Sequence, residues 1–148
     1  MAQQMIETRR RASAVWNGGV PQGSGTVKLG SGTFEGNYSF GTRMGNEPGT
    51  NPEELIAAAH AACFSMALAF ALTNDGHPPT SVSTKAVVHL KQTANGFEIP
   101  KIDLVTEGVV PGIDEATFKA TAEAAKKGCP VSKVLAGAEI TLAASLAS

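Results

Sequence analysis

The alternation of apolar and polar residues changes period twice along this chain. Up to residue 50 glycine-rich marks, "WNGGVPQGSG", "LGSGTFEGN" and "FGTRMGNEPGTNP", separate short runs rich in strand formers at 12–16, 25–29 and 34–40. Such spacing predicts an antiparallel meander. From Pro52 to about residue 73 the pattern becomes almost continuously apolar, and a helix is expected. Asn51 suits the N-cap, Pro52 the first helical position, and Glu53 and Glu54 the first turn, where the helix dipole favours negative charge. "NDGHPP" ends it. Period two then returns in "SVSTKAVVHLKQT" and "GFEIPKIDLVTEGVV", with "TANG" as a hairpin turn between them. "PGIDEATFKATAEAAKKG" is amphipathic and predicts a helix capped by Asp114 or a neighbour and stopped by Gly128. "CPVSKVLAG" starts a short second helix with Cys129 at the cap, and "AEITLAASL" is a last strand. The order is three strands, a long helix, two strands, two helices and a strand: an α+β fold in one domain, residues 1–148.

The long helix is apolar all round and rich in alanine. Its length matches a membrane span, but His60 and Ser65 interrupt it and the flanking elements suit a water-soluble domain. A helix with no polar face is also what a central core helix looks like. One small sheet covers one face only, so a second copy of the chain in a two-fold dimer is expected to cover the rest.

Composition narrows the function classes. The chain of 148 residues is 43% hydrophobic and 17% charged, hence globular rather than disordered. Lys and Arg number 12 against 13 Asp and Glu, which leaves no electrostatic footprint for nucleic acid. The one basic run, Arg9 to Arg11, is expected to be a solvated face at an edge strand. "MAQQMIETRRRASAVW" lacks the apolar core of a signal peptide, so a cytoplasmic location is expected. A reducing compartment disfavours a permanent structural disulfide. The two cysteines are then inert core residues or working thiols.

Local physics separates them. Cys129 opens a helix, where a thiol ionises more readily. Cys63 lies mid-helix in apolar surroundings, which raise its pKa, and reacts only if a cation is brought to it. The candidate cation is Arg43, in the glycine-rich loop before the helix. A carboxylate from Glu53 or Glu54 can fix its guanidinium plane by a bidentate pair. Each residue also has an ordinary alternative: a core cysteine, or a loop arginine in a surface ion pair.

Taken together, "GTRMGNEPGTNPEELIAAAHAACFSMALAFAL" and "GCPVSKVLAGAEITL" resemble the OsmC/Ohr family of osmotically inducible and organic hydroperoxide resistance proteins, on the OsmC side. The resemblance covers nearly the whole chain. It implies a cofactor-free thiol peroxidase of stress defence that reduces organic hydroperoxides to alcohols. In that pattern Cys63 of "HAACFS" is the peroxidatic thiol and Cys129 of "CPVS" the resolving thiol of a redox-active disulfide. Arg43 activates Cys63, and Glu53 orients Arg43. It further implies an intertwined homodimer with sites at the subunit interface, and an external dithiol, for example of the lipoyl type, as reductant. Met44 departs from the family pattern, where an aromatic follows the arginine. Lowering a thiol from about 8.5 to about 6 needs about 3.4 kcal/mol of preferential stabilisation of the thiolate, of the order one well-oriented guanidinium supplies in a dry site.

Two other classes fit some of the same residues. His60, Cys63 and Cys129 with a carboxylate make a possible Cys2His metal set, although no C-x2-C pair supports it. A non-catalytic binder of apolar molecules is the other, and would have no need of thiols. His60 is expected to be a packing residue, and His77 and His89 carry no assigned role.

Overall fold

The computed structural model describes residues 5–147. Residues 1–4, where the N-terminal stretch read for a leader begins, lie outside it, as does residue 148. The chain divides into two compact units, Met1–Pro52 and Glu53–Ser148.

The first unit is the expected meander. Strands β1 (Ala12–Asn17), β2 (Ser24–Leu29) and β3 (Glu35–Ser39) pair antiparallel in the order β1-β2-β3. Arg9, Arg10 and Arg11 precede edge strand β1 and are exposed, as the charge run predicted. The third strand stops earlier than the pattern suggested, because Phe40–Met44 forms a short helix, α1. A reciprocal cap starts it. Ser39 Oγ accepts from the Thr42 backbone N–H at 3.1 Å, and Thr42 Oγ1 accepts from the Ser39 backbone N–H at 2.8 Å.

The second unit begins with α2 (Pro52–Asn74), within a residue of the expected end. Strands β4 (Ser81–Thr93) and β5 (Gly96–Val109) form the predicted hairpin, with Gly96 at φ +115°. Pro100 has no N–H to give a central strand. The ladder shifts register there, between His89 opposite Lys101 and Lys91 opposite Glu98. Helix α3 (Glu115–Gly128) is capped by Asp114, whose carboxylate accepts from the Thr117 N–H at 2.7 Å. Helix α4 (Pro130–Val134) follows, then β6 (Glu139–Leu146).

One expectation is corrected. The sheets are not both antiparallel: β6 lies parallel to β5, from Lys101 opposite Glu139 to Gly108 opposite Leu146. The helical crossover through α3 and α4 returns the chain to the starting end of β5, and that is what parallel pairing needs. The fold is a mixed α+β arrangement of two small sheets and a long helix.

The core of this unit lies between α2, the inner face of β5 and α3. Phe64, Leu68 and Leu72 recur every fourth residue on α2 and are wholly buried with Leu104, Phe118 and Ala122. A hydroxyl ladder ties α2 to the sheet: Ser65 Oγ donates to Thr84 Oγ1 at 2.7 Å, and Thr84 and Thr106 share a hydrogen bond of 3.0 Å. The opposite face of α2 is uncovered, with Met66 77% and Phe70 68% exposed. By length and hydropathy alone α2 is long and apolar enough to cross a membrane.

Candidate active site

The two cysteines, 66 positions apart in sequence, meet. Local chain geometry accounts for much of this. Gly128 is the last residue of α3, where the Cys129 N–H still donates to the Ala125 carbonyl at 2.9 Å. Pro130 disfavours helical dihedrals in the residue before it, and Cys129 adopts φ −59°, ψ 122°. Proline then opens α4 at its first turn. Cys129 is thereby the N-cap residue of α4, and its side chain makes no cap hydrogen bond. On α2, Cys63 stands one residue before Phe64 of the buried stripe and is itself half-buried, whereas Cys129 has no exposed surface.

Cys63 Sγ and Cys129 Sγ are 3.0 Å apart, both as free thiols. A proton on either sulfur satisfies the contact, so the surroundings decide where it rests. Burial pushes the Cys63 thiol up, and the nearby Cys129 adds to this against one N–H from Val131. Burial acts in the same sense on Cys129, but Cys63 and the polar groups of Ser132 and Val131 outweigh it and hold that thiol below its ordinary value. Within this unit Cys129 is the more readily ionised of the two thiols. Accessibility runs the other way: Cys63 is half-buried as a residue, whereas Cys129 is wholly buried.

His60, one turn before Cys63, is wholly buried. Its Nε2 lies 2.7 Å from Ser132 Oγ, and its Nδ1 has no hydrogen-bond partner. Burial lowers its pKa and keeps the ring neutral. His60 is buried, as a packing residue would be, and makes a polar bond to α4 that the sequence did not suggest. Among the described residues no cluster of three or more His, Cys, Asp or Glu side chains is placed to hold a metal ion.

Glu53 is buried in the first turn of α2, and Arg43 is in the last turn of α1 in the first unit. Ten residues separate Glu53 from Cys63 along α2, a rise of about 15 Å. Two surface grooves lie elsewhere. One of about 320 Å³ runs between α3 and β6, beside Lys119, Glu123 and Leu142. The other, of about 590 Å³, is flanked by Arg9, Arg10, Arg11 and the turn after β2.

Comparison with known proteins adds an independent line. The OsmC-like protein family matches residues 45–144. The chain is 52% identical to Peroxiredoxin OsmC of Escherichia coli (strain K12) over 134 residues, which is 90% of this chain and 93% of that protein. It is 38% identical over 90 residues to an organic hydroperoxide resistance protein of Xanthomonas axonopodis pv. citri, 60% of this chain and 61% of that one. Among solved structures, an organic hydroperoxide resistance protein from Elizabethkingia anophelis superposes with TM-score 0.73 at 26% identity, covering 97% of this chain and 99% of its own. An OsmC-like protein from Mycoplasma pneumoniae shares the fold, with TM-score 0.76 at 17% identity over 97% and 100% of the two chains.

Proposed function

The chain belongs to the OsmC family, and on that footing we propose that it is a cysteine-based peroxidase that reduces organic hydroperoxides to alcohols. The observation that carries the reading is the sulfur pair at 3.0 Å, between one half-buried cysteine and one wholly buried cysteine. Two thiols so close, with unequal access, suit a reaction in which one meets substrate and the other closes on it.

Access supports Cys63 as the peroxidatic thiol. Its thiolate attacks the distal peroxide oxygen; the O–O bond breaks, alcohol leaves after taking a proton, and Cys63 becomes a sulfenic acid. Cys129 condenses with it to a disulfide, and an external dithiol such as a lipoyl-type one returns both thiols by exchange. Because the local field favours charge on Cys129, Cys63 needs a cation. Arg43 fits that need, with Glu53 as the carboxylate that orients it. A rise of about 15 Å is more than one guanidinium comfortably bridges. The reading is therefore that Arg43 and Glu53 serve the Cys63 of a second copy of the chain.

The uncovered face of α2 supports the same homodimer. Lipid is an unsuitable cover, because α2 is packed on a sheet with open edges, and such edges do not occur in hydrocarbon. The protein is read as soluble and cytoplasmic, with residues 1–148 acting as one functional domain. The test is turnover with cumene hydroperoxide and excess dihydrolipoamide. Cys63→Ser should abolish it. Cys129→Ser should allow one turnover and then stall at the sulfenic acid; an unchanged multiple-turnover rate in Cys129→Ser contradicts the cycle.

A further inference from the structure

The cycle above uses the two sulfurs and leaves a buried polar pair between the same two helices unused. His60 has no exposed surface, Ser132 is 5% exposed, and His60 Nε2 lies 2.7 Å from Ser132 Oγ across 72 residues of sequence. His60 stands three residues before Cys63 on α2. Ser132 stands three residues after Cys129, which is the N-cap of α4. The spacing is the same on both elements, and three residues of helix rise about 4.5 Å. The polar bond and the sulfur contact of 3.0 Å are thus two ties between one pair of elements, about one turn apart.

Helix α4 depends on such ties. It has 5 residues, and a helix that short has no stability of its own in water. The Cys129 N–H is held by the Ala125 carbonyl at 2.9 Å, which joins α4 to α3. In a capping box the side chain three residues into the helix would reach back to that N–H. Here the N–H is already used, and the Ser132 hydroxyl turns to α2 instead. The direction of its bond follows from a count of protons. A neutral imidazole has one N–H and one lone pair. If Ser132 donated to Nε2, the ring proton would sit on Nδ1, which is buried with no acceptor. Orphaned buried N–H groups are rarer than under-satisfied acceptors. Nε2 therefore carries the proton and donates to Ser132 Oγ.

We propose that the His60–Ser132 bond is a positioning device for the disulfide step: it anchors α4 to α2 one turn from the sulfurs and so holds Cys129 within reach of Cys63. In that step the Cys129 thiolate supplies the electron pair of the new S–S bond. The S–O bond of the Cys63 sulfenic acid breaks, and the hydroxide that leaves takes up the proton Cys129 gave up, as water. Cys63 is reduced and Cys129 oxidised, with no further reactant. His60 and Ser132 act through the helices that carry the cysteines and are positioning residues. Holding the dithiol in the arrangement the disulfide needs raises the effective concentration of one sulfur at the other. It therefore speeds closure and makes the couple more reducing. The proposal rests on the reading of Cys63 and Cys129 as one redox couple.

The test reads rate, potential and stability. Reduced protein is mixed with one equivalent of cumene hydroperoxide. Sulfenic acid is followed as its NBD-chloride adduct, and disulfide as loss of the second thiol. Ser132→Ala and His60→Leu should each slow the disulfide step about tenfold more than the sulfenic step, the order one buried hydrogen bond supplies. Equilibrated against a dithiothreitol redox buffer, their couples should be more oxidising by about 30 mV, the same tenfold for two electrons. His60→Gln, which keeps an N–H near the Nε2 position, should lie nearer wild type in both. His60→Leu combined with Ser132→Ala leaves no buried donor orphaned, so its melting midpoint should recover toward wild type while rate and potential stay shifted. Rate and potential that recover along with stability, or that never move in the single variants, overturn the proposal. If the single variants do not fold, the double variant decides: a wild-type rate ratio and potential reject it. Failure of the underlying reading looks different, because the wild-type protein would then form no Cys63–Cys129 disulfide with the peroxide.

Discussion

Oxidation should stabilise this protein, and the structure gives a magnitude. The two sulfurs sit at 3.0 Å in the reduced protein, about 1 Å outside bonding distance, so closing the disulfide asks little of the fold. The bond would cross-link residues 66 positions apart. In the chain-entropy treatment a loop of that length removes about 14.6 cal/mol/K from the unfolded ensemble, or about 4.4 kcal/mol at 25 °C. For a chain of 148 residues each kcal/mol moves the melting midpoint by about 2–4 °C. Protein treated with one equivalent of cumene hydroperoxide should therefore melt about 9–17 °C above the reduced protein. The comparison is made by circular dichroism at equal protein concentration, since a dimer's midpoint depends on it. Cys129→Ala should show no such rise. An oxidised midpoint equal to or below the reduced one, or an equal rise in Cys129→Ala, would refute the reasoning: the cross-link would then strain the native state or lie elsewhere.

Three further outcomes are expected. A methyl group at Gly108 would lie 2.6 Å from the Phe118 ring, so Gly108→Ala should cost about 1–3 kcal/mol by overpacking, and adding Phe118→Leu should recover part of it in a double-mutant cycle read by urea melts. The Thr141 hydroxyl, then His89, hold the Asp103 carboxyl down to about 2 from 3.8. Its folded pKa is depressed, so its contribution is complete above the unfolded value and lost as pH falls from about 4 to 2; urea midpoints over that window should fall less steeply in Asp103→Asn. The exposed face of α2 should be a subunit interface, so Met66→Lys with Phe70→Lys should convert dimer to monomer in sedimentation, and an unchanged dimer would place the interface elsewhere.

The parts of the fold that were legible are those set by local chemistry. Pro52, Glu53 and Glu54 announce α2, Asp114 announces α3, and strict alternation marks β4 and β5. Helix α1 was missed because five residues with a glycine at the second position carry no helical period, and the Ser39–Thr42 cap lacks the usual Glu or Gln. The parallel seating of β6 is a property of the crossover, which strand pattern does not encode. An all-round apolar helix gives no sign of which stripe faces the sheet, so Phe64, Leu68 and Leu72 could not be singled out. At the site, both cysteines were visible from sequence, but the burial that separates their access was not. Nor was the His60–Ser132 bond, which joins residues 72 positions apart and depends on tertiary packing. "HAAC" and "CPVS" held both partners in view, with nothing to pair them.

The central claim is that the two thiols form one redox couple driven by organic hydroperoxide. Reduced protein should be mixed anaerobically with equimolar cumene hydroperoxide or, separately, hydrogen peroxide, and free thiols counted over seconds. Mass spectrometry of a digest then locates any disulfide. Loss of both thiols per chain, faster with the organic peroxide, and a Cys63–Cys129 linkage are the predicted result. Thiols that survive both oxidants for minutes would contradict the account and return both cysteines to the role of core residues.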